Sequence, residues 1–118
     1  MNTQGIWGEE QAAAFLKNKG YTVLARNYRA PGGEIDLVAR FKKTLVFVEV
    51  KQRSYSAFGG PVAAVTKAKQ LRIARAAVAF IKTHKNVTYD DIRFDVICIL
   101  PQGTDHLENA FCPPRATL

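Results

Sequence analysis

Apolar and polar positions along this chain change period from block to block, and each period predicts an element. Between Trp7 and Lys19, Ala12, Ala13, Phe15 and Leu16 recur at helical spacing and Gly20 supplies a stop, so a first helix is expected. Tyr21 to Arg29, rich in Tyr, Val and Leu, reads as a strand that Ala30-Pro31-Gly32-Gly33 breaks. Two more strands follow, Ile35 to Arg40 and Leu45 to Lys51, joined by Phe41-Lys42-Lys43-Thr44. After the polar loop Gln52 to Pro61, a long helix is expected from about Val62 to His84. Val65, Leu71, Ala74, Val78 and Ile81 form its apolar stripe, while Lys67, Lys69, Arg72 and Arg75 lie elsewhere. Ile92 to Leu100 is apolar nearly throughout, as a strand buried on both faces would be. A shorter strand is expected over His106 to Phe111, and Cys112 to Leu118, with two prolines, reads as a loose tail. The order α-β-β-β-α-β-β predicts an α/β fold, a mixed β-sheet flanked by helices, in one domain spanning residues 1–118. No internal repeat, low-complexity tract or linker interrupts it.

The polar positions inside the second and third strands carry the chemistry. Side chains two apart on a strand point the same way, so Glu34 shares a face with Asp36, and Glu49 with Lys51. If the hairpin is symmetric about Lys42-Lys43, Asp36 faces Glu49 and Glu34 faces Lys51. Directly opposed side chains have Cβ atoms about 4.5–5.5 Å apart, where two like charges destabilise a sheet unless a cation lies between them. A lone Glu-x-Lys is commonly a solvated edge. Here Leu45 and Phe47 precede Glu49 on its own face, and Val46, Val48 and Val50 make the other face apolar. Charges ending so apolar a strand are costly to bury without a function. Magnesium or manganese held by one or two carboxylates, and keeping most of its waters, suits the place. Asp36 and Glu49 are the expected ligands, with the backbone carbonyl of Val50 as a third oxygen. Lys51 would orient the attacking water or stabilise developing charge. Lys67 and Lys69 would grip the substrate backbone.

Composition agrees with such a substrate. The chain carries a net charge of +7, which suits a phosphate-rich partner, with a basic surface that merely aids solubility as the alternative. Two cysteines, Cys98 and Cys112, do not make a zinc site without both histidines, and Cys98 in its apolar run reads as a small buried hydrophobe. The first residues lack the basic start and apolar stretch of a signal peptide, and no apolar run approaches a membrane span, so a cytoplasmic protein is expected.

Gly8-Glu9 with Ala12 and Gly20-Tyr21, Arg26-Asn27-Tyr28-Arg29, GEIDLVAR, LVFVEVKQR, Phe58-Gly59-Gly60-Pro61 with Ala64-Val65 and Lys69, and RFDV at Arg93 to Val96 together resemble the YraN family. Those small bacterial proteins are known mainly as predicted nucleases, similar to archaeal Holliday junction resolvases and the wider PD-(D/E)xK superfamily. The resemblance runs from about Gly8 to Phe111. It implies a restriction-endonuclease-like core in which Asp36 matches the metal-binding aspartate, Glu49 the second acid and Lys51 the lysine. Glu9 matches an extra glutamate that resolvases bring to the same metal; alternatively it is a helix N-terminal acid favoured by the macrodipole. Gln52 stands where many members carry a polar residue, and with Glu34 is expected to support the site. The superfamily's leading Pro-Asp is absent, replaced by Ile35-Asp36, a departure the YraN pattern shares.

The expected function is metal-dependent hydrolysis of phosphodiester bonds in DNA, branched or distorted DNA included. Lys67, Lys69, Arg72 and Arg53 would hold nucleic acid, and a homodimer would be needed to cut two strands symmetrically. The alternative from another class is a nucleic-acid-binding module without catalysis. A third is an adaptor docking a protein through its sheet edge. Asp95 is expected to be a buried partner of Arg93, His84 and His106 surface residues, Trp7 and Tyr55 packed or anchored rather than stacked on bases, and Ser54 and Ser56 without catalytic context.

Overall fold

The computed structural model describes the backbone of residues 3–53 and 65–113, and the side chains of residues 7–53 and 65–113. Helix α1 (Thr3–Asn18) leads into strands β1 (Thr22–Ala30), β2 (Gly33–Phe41) and β3 (Thr44–Gln52). Helix α2 (Lys67–Thr83) then precedes β4 (Asp91–Leu100) and β5 (Gly103–Leu107). The elements come in the expected order. They build one mixed five-stranded sheet, β1-β2-β3-β4-β5, in which only the β3–β4 pair is parallel. Parallel neighbours need a crossover, and α2 supplies it.

Turn chemistry sets the strand ends. Pro31-Gly32 closes β1 on β2 directly at the Ala30–Gly33 pair, with Gly32 at φ 84°, the conformation a glycine after proline takes in a type II turn. Lys42-Lys43 closes β2 on β3 at the Phe41–Thr44 pair, and Lys42 adopts φ 55° where glycine is more usual. The loop is therefore even, as a symmetric hairpin requires. β5 begins earlier than the pattern suggested, because Pro101-Gln102 makes a tight turn closed by Leu100 and Gly103. Phe111, expected in that strand, instead packs its ring against Phe94 at 5.5 Å.

Among the described residues each face of the sheet carries one helix. Ala12, Ala13 and Leu16 of α1 bury Leu37, Ala39, Val46, Val48, Ile97 and Ile99. On the other face Ile73, Ala76, Ala77 and Phe80 of α2 bury Ile35, Val38, Leu45 and Phe47. β4 is buried on both faces as expected, Val96 and Cys98 opposite Ile97 and Ile99. The stripe anticipated for α2 is rotated: of its members only Ala74 is fully buried, while Val78 and Ile81 line a shallow apolar recess. The helix is apolar over more than half its circumference. The sheet takes the arc whose small alanines allow a close approach and whose Phe80 fills the gap beside Phe47. The helix begins at Lys67, where Thr66 Oγ1 caps it by accepting from the Lys69 N–H at 3.1 Å. The segment from Val62 to Ala64, and the loop from Ser54 with Tyr55 and Ser56, lie outside the described residues.

Gly33 explains the close fit of α2 on β2. A Cβ there would lie 1.9 Å from the carbonyl oxygen of Arg72, so helix and strand backbones meet where only hydrogen fits.

Candidate functional site

The β2–β3 ladder runs from the Phe41–Thr44 pair to Leu37–Val48 and stops there. Beyond it the two strands diverge, β2 keeping to β1 as far as Gly33, and β3 keeping to β4 as far as Gln52. Asp36 and Glu49, next in the register, stand in the mouth of this fork. Asp36 Oδ2 accepts the Val50 N–H at 2.8 Å, replacing the carbonyl that a continued ladder would offer. A strand residue presents its C=O on the same side as its N–H, so the Val50 carbonyl belongs to the fork as well.

Strict alternation breaks at this point, which sequence periodicity did not anticipate. Gly33 and Ile35 face α2, and so does Val38, whereas Leu37 and Ala39 face α1. The switch falls at Asp36. Its neighbour on β1 is Asn27, which sits in the left-handed region at φ 49° and is skipped by the ladder. Ala25 and Tyr28, on either side of it, both pack towards α2. The double reversal lets Asp36 turn its carboxylate into the gap between strands. It also separates Asp36 from Glu34, expected on the same face. The Glu34 carboxylate is instead held by Arg72 at 3.3 Å, Lys69 at 3.9 Å and Arg29 at 4.0 Å.

Glu49 shares its face with Phe47 and Lys51, as expected. Its side chain is 12% exposed and lies 3.9 Å from the Lys69 ammonium. Burial, together with the charge of Asp36 and a hydrogen bond to it, pushes Glu49 up to about 8, against the opposing pull of Lys69 and Lys51. A mostly protonated Glu49 therefore donates to Asp36 at neutral pH when no cation is present. Glu9 belongs to α1 and forms a side-chain hydrogen bond with Asn27; burial raises its carboxyl, and the charge of Asp36 adds to that. With α1 starting at Thr3, Glu9 lies in the second turn, where the macrodipole has little hold on it. Gln52, on the opposite face from Glu49 and Lys51, is wedged under α1 at Gly8; its Oε1 is buried with no hydrogen-bond partner among the described residues.

The fork suits a hard cation of low protein coordination. It offers two carboxylates that need a proton between them, and a proton is what a bound divalent ion displaces. Among the described residues no three Asp, Glu, His or Cys side chains gather closely enough to hold an ion, so Glu9 is not brought into a three-acid cage. Magnesium, which keeps several waters, could be held by so few protein ligands; a calcium cage needs more oxygens.

The predicted phosphate contacts divide. Lys69 stands between Glu34 and Glu49, inside the acidic group. Arg72 is bound to Glu34 on the same side. Lys67 is exposed at the start of α2, and Arg53 is exposed with Nη1 donating to the Gln52 carbonyl at 3.0 Å. Asn27 and Arg29 were not read as site residues, although both stand in the Arg26-Asn27-Tyr28-Arg29 motif of the resemblance and an asparagine tolerant of the left-handed region falls there within a run of strand formers.

A second polar group lies near α1. Asp95 is fully buried, accepting from Arg93 Nε and Nη2 at 2.9 Å each, from the Asn109 N–H at 2.9 Å, and bonded to His106 Nε2 at 2.7 Å. These bonds hold its carboxyl below the usual carboxylate range although burial alone would raise it. The structural role expected for Asp95 holds. That for His106 does not: its side chain is 2% exposed, because the β4–β5 hairpin folds it onto Asp95 and Tyr21. His84 is exposed and stacks on Phe80. Trp7 is half exposed on α1 rather than packed. Cys98 is buried and Cys112 exposed, and neither is in a disulfide among the described residues. No helix among the described residues is long and apolar enough to cross a membrane.

The model of the uncharacterised protein family UPF0102 matches residues 8–99, a span that holds every acid and base of the fork. The chain is similar to a UPF0102 protein of Geobacter sulfurreducens, 46% identical over 112 residues, covering 91% of this chain and 87% of that one. It is 48% identical over 113 residues to a UPF0102 protein of Cupriavidus necator, covering 93% and 85% of the two chains. A UPF0102 protein of Syntrophomonas wolfei is 41% identical over 111 residues, covering 91% and 96%.

Proposed function

The chain belongs to the UPF0102 family, the YraN family of the resemblance above, and from that premise we propose that it is a metal-dependent endonuclease acting on DNA. The observation that carries the reading is the contact of Asp36 with Glu49 in the open end of the β2–β3 fork, with Lys51 alongside and a strongly basic chain around them. A buried carboxyl perturbed by a specific charge partner in a cleft is a functional-site candidate. The kinship to PD-(D/E)xK nucleases and resolvases belongs to the same proposal.

Asp36, Glu49 and the Val50 carbonyl would hold magnesium or manganese, which when bound activates water and neutralises charge on the phosphate. Asp36 is fixed for this by the Val50 N–H, so its carboxylate does not have to reorganise. Glu49 must give up its proton on loading. Lys51, whose charge already acts on Glu49, donates hydrogen bonds to the attacking water or to the oxygen on which charge develops. With Glu49 engaged by a cation, Lys69, now 3.9 Å from it, would be available to pair with substrate phosphate. Glu9 adds negative potential from α1.

Labelled duplex, single-stranded and four-way-junction DNA, with an RNA strand for comparison, incubated in magnesium or manganese tests this. Cleavage is expected, falling by about two to three orders of magnitude in Asp36→Asn and in Lys51→Ala. If no substrate is cut, or if Asp36→Asn cuts as well as the parent, the enzymatic reading is wrong. Binding without catalysis is favoured by one observation, the lack of a third clustered ligand among the described residues. It predicts DNA binding that weakens steeply with salt and is indifferent to EDTA.

A further inference from the structure

At the turn between β1 and β2 a recess of about 250 Å³ opens beside α2, lined by Arg29, Ala30, Gly32, Gly33, Glu34 and Arg72. Gly32 and Gly33 contribute only backbone to its lining. Arg75 lies against Gly32, where a Cβ would meet its Cδ at 3.1 Å, and brings a third guanidinium to the rim. Among the described residues Glu34 is the single carboxylate in the lining, and Arg29, Lys69 and Arg72 surround it.

The charges do not match one another. Three cations converge on one carboxylate, and the shortest contact is the single Arg72 bond at 3.3 Å, far looser than the charge-assisted pairs of about 2.7–2.9 Å that make good ion bridges. Each guanidinium has five donors in a fixed fork, most of them not engaged by Glu34. The Arg29 and Arg72 side chains are 79% and 51% exposed, so their pairing contributes little to stability. A fold gains almost nothing by assembling them. A phosphodiester, with a full negative charge shared by two non-bridging oxygens, would engage more of the same donors than this loosely held carboxylate does.

The recess is also next to the fork. Lys69 lies 3.9 Å from Glu34 and 3.9 Å from Glu49, so a single ammonium touches both sites. We infer that the recess is a phosphate subsite: Arg29 and Arg72 grip a non-bridging oxygen of the DNA strand adjacent to the bond held at the fork, and Glu34 occupies the place until the strand arrives. The position relative to the scissile bond rests on the proposed nuclease reading. The subsite itself rests only on the recess and its unmatched donors.

Fluorescence anisotropy of a labelled DNA oligonucleotide in EDTA, titrated with salt, reads the subsite without any cleavage. Arg29→Gln combined with Arg72→Gln should lower affinity at least about tenfold at low salt and flatten the slope of log K against log salt by about one, for the single phosphate that both side chains hold. Arg29→Lys with Arg72→Lys should restore most of the slope, since charge is kept. Glu34→Gln should tighten binding severalfold, because it removes the competitor without touching the donors. Melting temperatures of all variants separate misfolding from lost contact. An unchanged slope in a folded double glutamine variant, or weaker binding by Glu34→Gln, overturns the inference and leaves the fork reading to the cleavage assay of Asp36→Asn. Inorganic phosphate that raises the melting temperature of the parent but not of the double variant, with equal DNA slopes, assigns a free anion and overturns the strand contact. A parent that neither binds nor cuts DNA removes the nuclease reading and the subsite together.

Discussion

Replacing Glu49 by glutamine should make the protein more stable in alkali, and the size of the gain can be worked from the fork. Burial and Asp36 move Glu49 from its ordinary 4.5 to about 8. At about 1.4 kcal/mol for each tenfold change in proton affinity, that displacement corresponds to on the order of 5 kcal/mol. The 12% exposure of the side chain and the open mouth of the fork admit water that relieves part of it, leaving about 2–4 kcal/mol. The sign follows from proton counts. Between 4.5 and about 8 the folded chain binds the Glu49 proton and the unfolded chain does not, so stability falls as pH rises through that window. The contribution is complete below 4.5 and gone above about 8. Glutamine mimics the protonated carboxyl and keeps its hydrogen bond to Asp36 at every pH. Calorimetric melting in EDTA from pH 4.5 to 9 should therefore show the two curves meeting at the acid end. At pH 9 they should separate by on the order of 10 °C in favour of Glu49→Gln. Magnesium should raise the melting temperature of the parent above pH 7, by replacing the proton, and leave the variant nearly unmoved. A constant gap across the window would refute the shared proton. Equal stabilisation of both proteins by magnesium would refute the fork as the cation's seat.

Two further outcomes test the frame around the site. Gly33→Ala must push α2 off β2 to relieve a 1.9 Å approach, and a loss of about 3 kcal/mol or more in urea unfolding is expected; a loss below about 0.5 kcal/mol would mean that the helix is not seated as described. Asp95→Asn leaves the Arg93 guanidinium without its buried counter-charge and should cost about 3–5 kcal/mol at neutral pH. Because the Asp95 carboxyl is held below its ordinary 3.8, that advantage is present above 3.8 and is lost as pH falls further, so the gap between parent and variant should close in strong acid; a gap unchanged by acid would contradict the ion pair.

Much of the site was legible because short-range rules govern it. The even loop Lys42-Lys43 sets the β2–β3 register, and that register alone puts Asp36 opposite Glu49. Alternation along β3 puts Lys51 beside Glu49, and it holds because β3 is paired on β4 through its whole length. The same rule failed for Glu34 and Asp36, since β2 reverses its faces at Asp36 in step with Asn27 on β1. His106 reads as a surface polar residue until β5 folds back on β4 and delivers it to Asp95. The buried arc of α2 was misjudged because an alanine-rich helix offers several apolar arcs and only the sheet chooses among them.

Local sequence determined the elements, their order, the hairpin register and the identity of the acids, because each depends on neighbours a few residues away. Tertiary structure alone decided that the ladder would end at Leu37–Val48, that α2 would bring Lys69 between two acids, and that Arg29 and Arg72 would meet across a glycine turn. Those outcomes depend on how helices and strands distant in sequence compete for one sheet. The perturbed chemistry of Glu49 arises from that packing: its proton affinity is set by what surrounds it and by the water excluded from the fork.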